Sequence, residues 1–439
     1  MKIKILLGCL LLSMQIGAQC WQSFDPGFNH STAINTDGRI RTIGYNGYGQ
    51  IGDGTNIERR VFTLAGASRY IAVSGGGNHT MGLRDDGTLW TWGRNVQGEL
   101  GLGVAGNQNI PMQVGTDNSW TKIWAGSFNC FAQKSDGTLW SWGHNYYGQL
   151  GHPGSAPQQV GLDTDWLEVS PTPNFTIAIK TDGSLWQWGA APGGGGAVPL
   201  RLGTANDWIM AKGGDEHVIA LKADGSIWTW GSNEYGQLGN PNLNPDGSLM
   251  RRVGTDNDWN MVAAGQDHCV ALKSNGSMWS WGDGGYGALG LGNVQDFNTP
   301  QMVGTATDWV MVKSHGAHNM ALKSNGVLHS WGENTYGQLG VVYPNGNTPS
   351  LSPCPSLLNT ESFAQNAFSV FPNPVSDVLE INNLRSSAIN GFRIYDQTGK
   401  ILIAGKGNVS KIDVAAFSRG LYFLAVQGET DTIIKFIKQ

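Results

Sequence analysis

The sequence predicts an all-β protein: a seven-bladed β-propeller followed by a small antiparallel β-sandwich domain. Three observations predict it. A phrase of the form Asp-Gly-Thr-Leu-Trp-x-Trp-Gly-x-Asn-x-x-Gly-Gln-Leu-Gly recurs seven times, opening at Asp37, Asp86, Asp136, Asp182, Asp224, Asn275 and Asn325. Successive copies lie 42 to 51 residues apart, a period that marks a repeat architecture. All 18 tryptophans fall between Trp21 and Trp331, inside that array, and no window shows a long, capped amphipathic helix.

The first element is a leader. Lys2 and Lys4 precede the apolar run Ile5–Met14 and then Ile16-Gly17-Ala18. This reads as a secretory signal peptide over residues 1–18, cleaved after Ala18. A lipoprotein anchor on Cys20 would need a small residue where Gln19 stands. No later run is apolar for 18 residues, so no membrane span is expected. The net charge of −5, with 14% charged residues, disfavours a nucleic-acid partner.

The array occupies residues 19–355. Trp259–Gly282, WNMVAAGQDHCVALKSNGSMWSWG, shows one unit well. Its Asn-Gly pair lies between the apolar runs Val270–Leu272 and Met278–Trp281, a hairpin signal in which a tight primed turn needs positive φ. A further strand opening on Trp or Tyr precedes each hairpin. A Gly/Pro/Asn-rich loop of variable length follows Gly-Gln-Leu-Gly. Each unit therefore supplies about four short strands, the content of one propeller blade. In Leu89–Trp92 both faces are apolar, as a strand sandwiched between two neighbouring blades requires. The Trp pairs are expected to form the interblade core. The first copy has Arg41 and Ile43 in place of that pair, the seventh has His329 and Trp331, and the fourth reads AAPGGGG (Ala190–Gly196) where others carry Tyr-Gly-Gln-Leu-Gly.

These motifs resemble the regulator-of-chromosome-condensation repeat family over residues 21–355. The resemblance implies a seven-bladed propeller. It also raises guanine-nucleotide exchange, which a secretory leader argues against because small GTPases are cytosolic. Secreted bacterial propellers of this repeat type that inhibit β-lactamases offer another reading.

Composition changes after Leu351. Residues 356–367 read as a linker, and 368–439 as a second domain built from short β-type runs such as Leu421–Val426 and Thr432–Ile437. The phrases Phe371-Pro372-Asn373-Pro374, Tyr395–Lys400, Gly420–Phe423 and Lys435–Lys438 resemble the type A sorting domain of the Bacteroidetes type IX secretion pathway. The resemblance implies a sorting signal carried by Pro372, Asn373, Pro374, Gly399, Gly420 and Lys435. It further implies the type IX machinery as a partner and a secreted or cell-surface location.

No catalytic, cofactor or metal site is expected. His30, His79, His217, His268 and His318 share one repeat position, but Asn129 and Phe175 interrupt it, so a structural role bonding backbone is expected. Cys130 and Cys269 follow that position, where Ser31, Thr80, Thr176, Val218 and Asn319 stand in other copies, and read as buried thiols in a packing slot. Cys20 and Cys354 stand at the two ends of the array. A disulfide between them would clasp first and last blades, contributing about 4–5 kcal/mol in the chain-entropy model. The leading expectation is a non-enzymatic propeller binding an extracellular protein or glycan. A secreted β-lactamase-inhibitor-like protein, or a glycan-active enzyme, are the alternatives. The variable loops Asp53–Phe62, Gly103–Met112, Gly239–Arg252, Gly290–Gln301 and Val341–Ser350 are the expected recognition surface, with Tyr48, Tyr147, Tyr235, Tyr286 and Tyr336 beside them as packing residues.

Overall fold

The computed structural model describes residues 20–241, 246–341, 345–352, 368–372, 375–383, 390–396, 401–407, 409–427 and 432–439. The chain divides into two compact units, residues 1–358 and 359–439. The described residues of the first form seven four-stranded sheets, each an antiparallel meander of consecutive strands. In blade 5, Trp208–Gly213, His217–Lys222, Ile227–Ser232 and Asp246–Arg252 follow one another from the centre outwards. Blade 1 spans Trp21–Arg69 and blade 7 spans Trp309–Leu351, so among the described residues no blade borrows a strand from the other end of the array. The ring closes through side chains. Lys313 meets Asp25 at 2.8 Å, Ser31 Oγ and His318 Nε2 are 2.9 Å apart, and Trp21, Phe24 and Ile43 pack on Met320 and Leu328.

The hairpins stand where expected, with a different turn. Gly225 N–H donates to the Lys222 carbonyl, and only the glycine has positive φ (+79°). This is a three-residue loop closed by a left-handed glycine rather than a two-residue primed turn. The glycine is required twice over, since a Cβ there would also lie 2.1 Å from the Asn257 carbonyl oxygen. Asp224 fixes the turn by accepting the N–H and hydroxyl of Ser226, whose oxygen in turn accepts the Trp228 indole N–H.

The Trp pairs divide their labour. The second member (Trp92, Trp142, Trp188, Trp230, Trp281) is fully buried between blades. The first is only half-buried. Lys134 Nζ lies 4.1 Å from the Trp140 ring and 4.9 Å from Trp120 while pairing with Asp117, and Lys180, Lys222 and Lys273 repeat the arrangement. A cation over a tryptophan face covers that ring without excluding water from it, so the outer face needs no neighbouring blade.

The second unit has two sheets. One holds Phe368–Phe371, Val378–Asn383 and Lys411–Asp413. The other holds Ile401–Lys406, Gly391–Tyr395, Gly420–Gln427 and Thr432–Lys438. Leu379, Ile412, Ile394, Leu424 and Phe436 from both sheets share one core. Pairing within the sheets is antiparallel, and a parallel bridge joins Val375 to Lys438.

Candidate binding site: the central channel and the loop-bearing face

The recurring histidine is an interblade latch. The Nε2 atom of His30 bonds Thr80 Oγ1 (3.0 Å), that of His79 bonds Cys130 Sγ (3.0 Å), that of His217 bonds Cys269 Sγ (3.3 Å) and that of His268 bonds Asn319 Oδ1 (2.8 Å). His318 reaches Ser31 in the same way. Each histidine thus meets the residue one place after the corresponding position of the next blade, not backbone as the sequence led us to expect. Thr80, Cys130, Thr176, Cys269 and Asn319 also donate to a carbonyl of the preceding Gly-Gln-Leu-Gly turn, at Gln50, Glu99, Gln149, Gln237 and Ala288. The buried Trp indole of the same blade donates to that carbonyl too. The free, buried Cys130 and Cys269 are therefore hydrogen-bonding members of the latch as well as fillers. Burial lowers the pKa of His30, His79, His217 and His318 to about 3, so these rings are neutral at physiological pH.

The seam between blades 4 and 5 lacks this device. Phe175 replaces the histidine, Val218 replaces its acceptor, and the Ala190–Gly196 loop offers no turn carbonyl to Trp230, whose Nε1 is buried without a partner among the described residues. The changes fit one another. In blades 1, 2, 5 and 6 a glycine lies under the imidazole, as where a Cβ on Gly214 would sit 2.2 Å from His217 Cε1. Blade 4 carries Thr172 there, and its hydroxyl bonds the Phe175 backbone. Phe175, Ile177, Leu185, Trp208, Val218 and Trp230 form a dry cluster across this seam.

The seven inner strands surround a channel whose cavity is about 400 Å³. Its charged lining residues are Asp25, Glu168, Lys212, Asp215 and Lys313. Two ion pairs account for four of them: Asp25 with Lys313, and Glu168 with Lys212. Inner and second strands are joined at the end where the histidine sits. His217 pairs with Gly231, the end of the third strand, so the loops after the third strands leave on that same face. One face of the ring therefore carries the variable loops, the tyrosines and the inner turns. On it, blades 5 and 6 place Asp215, Glu216 and Asp267, whereas blades 1 to 4 place Asn29, Gly77, Asn78, Ser127, Phe128, Pro173 and Asn174. Burial, then Asp267 and Glu216, raise the Asp215 carboxyl to about 7. Burial, then Asp283, Glu216 and Glu234, raise Asp267 to about 6.

This acidic quarter was missed in the sequence, where Asp215-Glu216 and Asp267 pass for ordinary turn residues. The signal was available: a carboxylate stands in the two places before the histidine in two adjacent copies only, as Asp215-Glu216 and Gln266-Asp267. Tyr147, Tyr235 and Tyr286 are exposed rather than packed, and among the described non-glycine residues Tyr286 alone holds positive φ (+56°). Tyr45 and Tyr336 pack together, ring centroids 4.7 Å apart, across the closing seam.

Of the residues singled out in the sequence, Cys20 is buried and disulfide-bonded, and Cys354 lies outside the described residues. Pro372 is exposed just after the strand Phe368–Phe371. Gly420 opens the strand Gly420–Gln427, and Lys435 pairs with Phe423. Asn373, Pro374 and Gly399, like the leader 1–18 and the linker 356–367, lie outside the described residues.

Comparison with known proteins places these features. A family model described as the Regulator of chromosome condensation (RCC1) repeat matches residues 86–133, 136–177, 224–272 and 275–322, and a second model of that repeat matches 27–50 and 70–99. The Secretion system C-terminal sorting domain model matches 369–439. Among solved structures, Prp20p from Saccharomyces cerevisiae, 18% identical, superposes with a TM-score of 0.65 over 80% of this chain and 90% of its own. Human WBSCR16, 20% identical, gives 0.60 over 68% and 85%. At such identities these structures speak for the fold. The type IX sorting tail marks the chain for export, to the cell surface or beyond. The chain belongs to the RCC1 repeat family and ends in a secretion system C-terminal sorting domain.

Proposed function

We propose that this is a non-enzymatic binding protein that presents the loop-bearing face of its propeller to an extracellular protein, with residues 368–439 serving as the type IX export signal. The observation that carries the reading is the uneven distribution of function-bearing features. The recurring histidines and the second tryptophan of each pair are spent on holding blades together, whereas exposed tyrosines and unpaired carboxylates collect on one face. Exposed aromatic residues beside charge suit protein recognition. Immobilised secreted protein, probed with extracellular proteins and with a glycan array, tests it. Selective capture of a protein is expected; capture of glycans alone would replace the ligand class, and turnover of a captured glycan would replace the reading altogether. Deleting residues 371–439 is expected to strand the chain in the periplasm, and normal surface appearance would refute the sorting role.

The clasp between Cys20 and Cys354 belongs to the same proposal. Cys130 and Cys269 are free and Cys20 is disulfide-bonded, which supports it. Blade 7 closes without a shared strand, so a covalent tie there restrains ends that side chains alone hold. Non-reducing peptide mapping of the exported protein should recover the two cysteines in one linked pair; recovering them as free thiols would exclude it.

A further inference from the structure

We propose that the channel mouth beside blades 4 to 6 binds a lysine or arginine side chain of the protein partner, with Asp215 as its counter-charge. The inference rests on the protein-binding reading above and names where and how that partner is gripped.

The cavity itself is the first observation. It opens onto the loop-bearing face, where the inner turns end the channel, and part of its wall is apolar: Met210, Met261, Ile123 and Trp124 line it. An aliphatic stem has somewhere to lie. The second observation is the charge in the wall. Asp25 accepts from Lys313, Ser74 and the Gly75 N–H, and Glu168 from Lys212 and the Ala211 N–H. Among the described lining residues, Asp215 is the charged side chain that no counter-charge or hydrogen bond meets. A carboxylate so placed favours any ligand that brings a cation.

The third observation is the shape of the mouth. Neighbouring inner turns are stitched by backbone hydrogen bonds: Phe28 N–H to Gly76 O, Gly77 N–H to Gly126 O, Asp215 N–H to Gln266 O and Gln266 N–H to Gly316 O. Blade 4 has Pro173 at this place, and proline has no N–H to give. On the opposite side, His315 spans to Ser127 at 3.4 Å and packs edge-on to Phe28, narrowing the mouth there. The opening that remains faces Pro173, Asp215 and Gln266. A small cationic group fits it better than a bulky apolar one, because Glu216 and Asp267 flank the same opening.

The test titrates the full-length exported protein with Nα-acetyl-lysine methylamide and, separately, with its uncharged norleucine counterpart, at pH 6 and pH 8. The lysine compound is expected to bind about tenfold more tightly than norleucine at pH 8, the size of effect that one desolvated charge pair gives. The preference should shrink at pH 6, where Asp215 is mostly protonated. Asp215→Asn should abolish both the preference and its pH dependence, and Asp267→Asn should keep the preference. Equal binding of the two compounds, or a preference that survives Asp215→Asn, overturns the proposal. Asn is isosteric and its circular dichroism melt reports folding; if that variant does not fold, a pH-independent preference in the wild-type protein overturns it instead. The two readings fail separately: a wild-type protein that captures no partner defeats the protein-binding function, whereas a partner held equally by the wild-type protein and by Asp215→Asn defeats this subsite alone.

Discussion

The seams on either side of blade 5 solve one problem with opposite chemistry. Between blades 5 and 6, His217 Nε2, Cys269, the Trp281 indole and the Gln237 carbonyl form a polar latch, with His217 Nδ1 buried without a partner among the described residues. Between blades 4 and 5, Phe175, Val218 and Ala191 fill the same space with hydrocarbon, and the Trp230 indole N–H is left over. Each further partner lost from such a buried latch costs the desolvation of the group it leaves behind. Removing the turn carbonyl in the fourth copy therefore favours removal of the histidine and its acceptor as well, and the chain shows all three changes at that seam. Hydrophobic area replaces hydrogen bonding, and the cost is concentrated in one orphaned indole.

Acid should break this comparison most strongly. Four latch histidines are held neutral by burial with pKa values near 3, against 6.5 for the exposed ring. Below pH 6.5 the unfolded chain takes up protons that the folded chain refuses, so stability falls as pH drops towards 3. By pH 4 the loss is about 3 kcal/mol for each of these histidines, together on the order of 10 kcal/mol, and is read in urea unfolding followed by tryptophan fluorescence. Hydrogen exchange should quicken at the histidine seams before it quickens at the seam of blades 4 and 5; uniform quickening would contradict the assignment.

The next largest effect comes from forcing the wrong chemistry into the dry seam. Phe175→His places an imidazole against Val218, with Thr172 where blades 1, 2, 5 and 6 carry a glycine, and should cost about 2–4 kcal/mol in a thermal or urea melt. A change within error would mean that water reaches the site.

A third pair isolates one hydrogen bond. Trp281→Phe and Trp230→Phe remove the same atoms from similar surroundings, but only Trp281 has an acceptor. The former should cost about 1 kcal/mol more than the latter. The smallest effect is expected for Cys269→Ser. Ser31 occupies the same slot in blade 1, so the change should stay within about 1 kcal/mol and leave the melt cooperative.

The hairpins, the blade count and the tail were legible because each rests on local, repeated chemistry. Asp-Gly turns and alternating apolar strands specify themselves, and seven copies repeat the message. The latch was half-legible. The histidine column and the small residue after it stand in plain view in the sequence, and so do the gaps at Asn129 and Phe175. What hid their meaning is that the partners are about 50 residues apart, in His30 with Thr80 and His79 with Cys130, and nothing local says they meet. The half-exposed Trp rings, capped by Lys134 or Lys180, were misjudged for the same reason.

By itself the sequence determined the repeat, its seven blades, its latch components and its export tail, because these follow from period, turn chemistry and contiguous motifs. Tertiary structure decided which of the polar groups find partners. Asp25 and Glu168 sit opposite Lys313 and Lys212 only once the ring closes, and Asp215 comes to lie beside the carboxylates of Asp267 and Glu216 with no counter-charge among the described lining residues. A charge in a channel wall takes its meaning from what stands across the channel, and that neighbour comes from a distant blade.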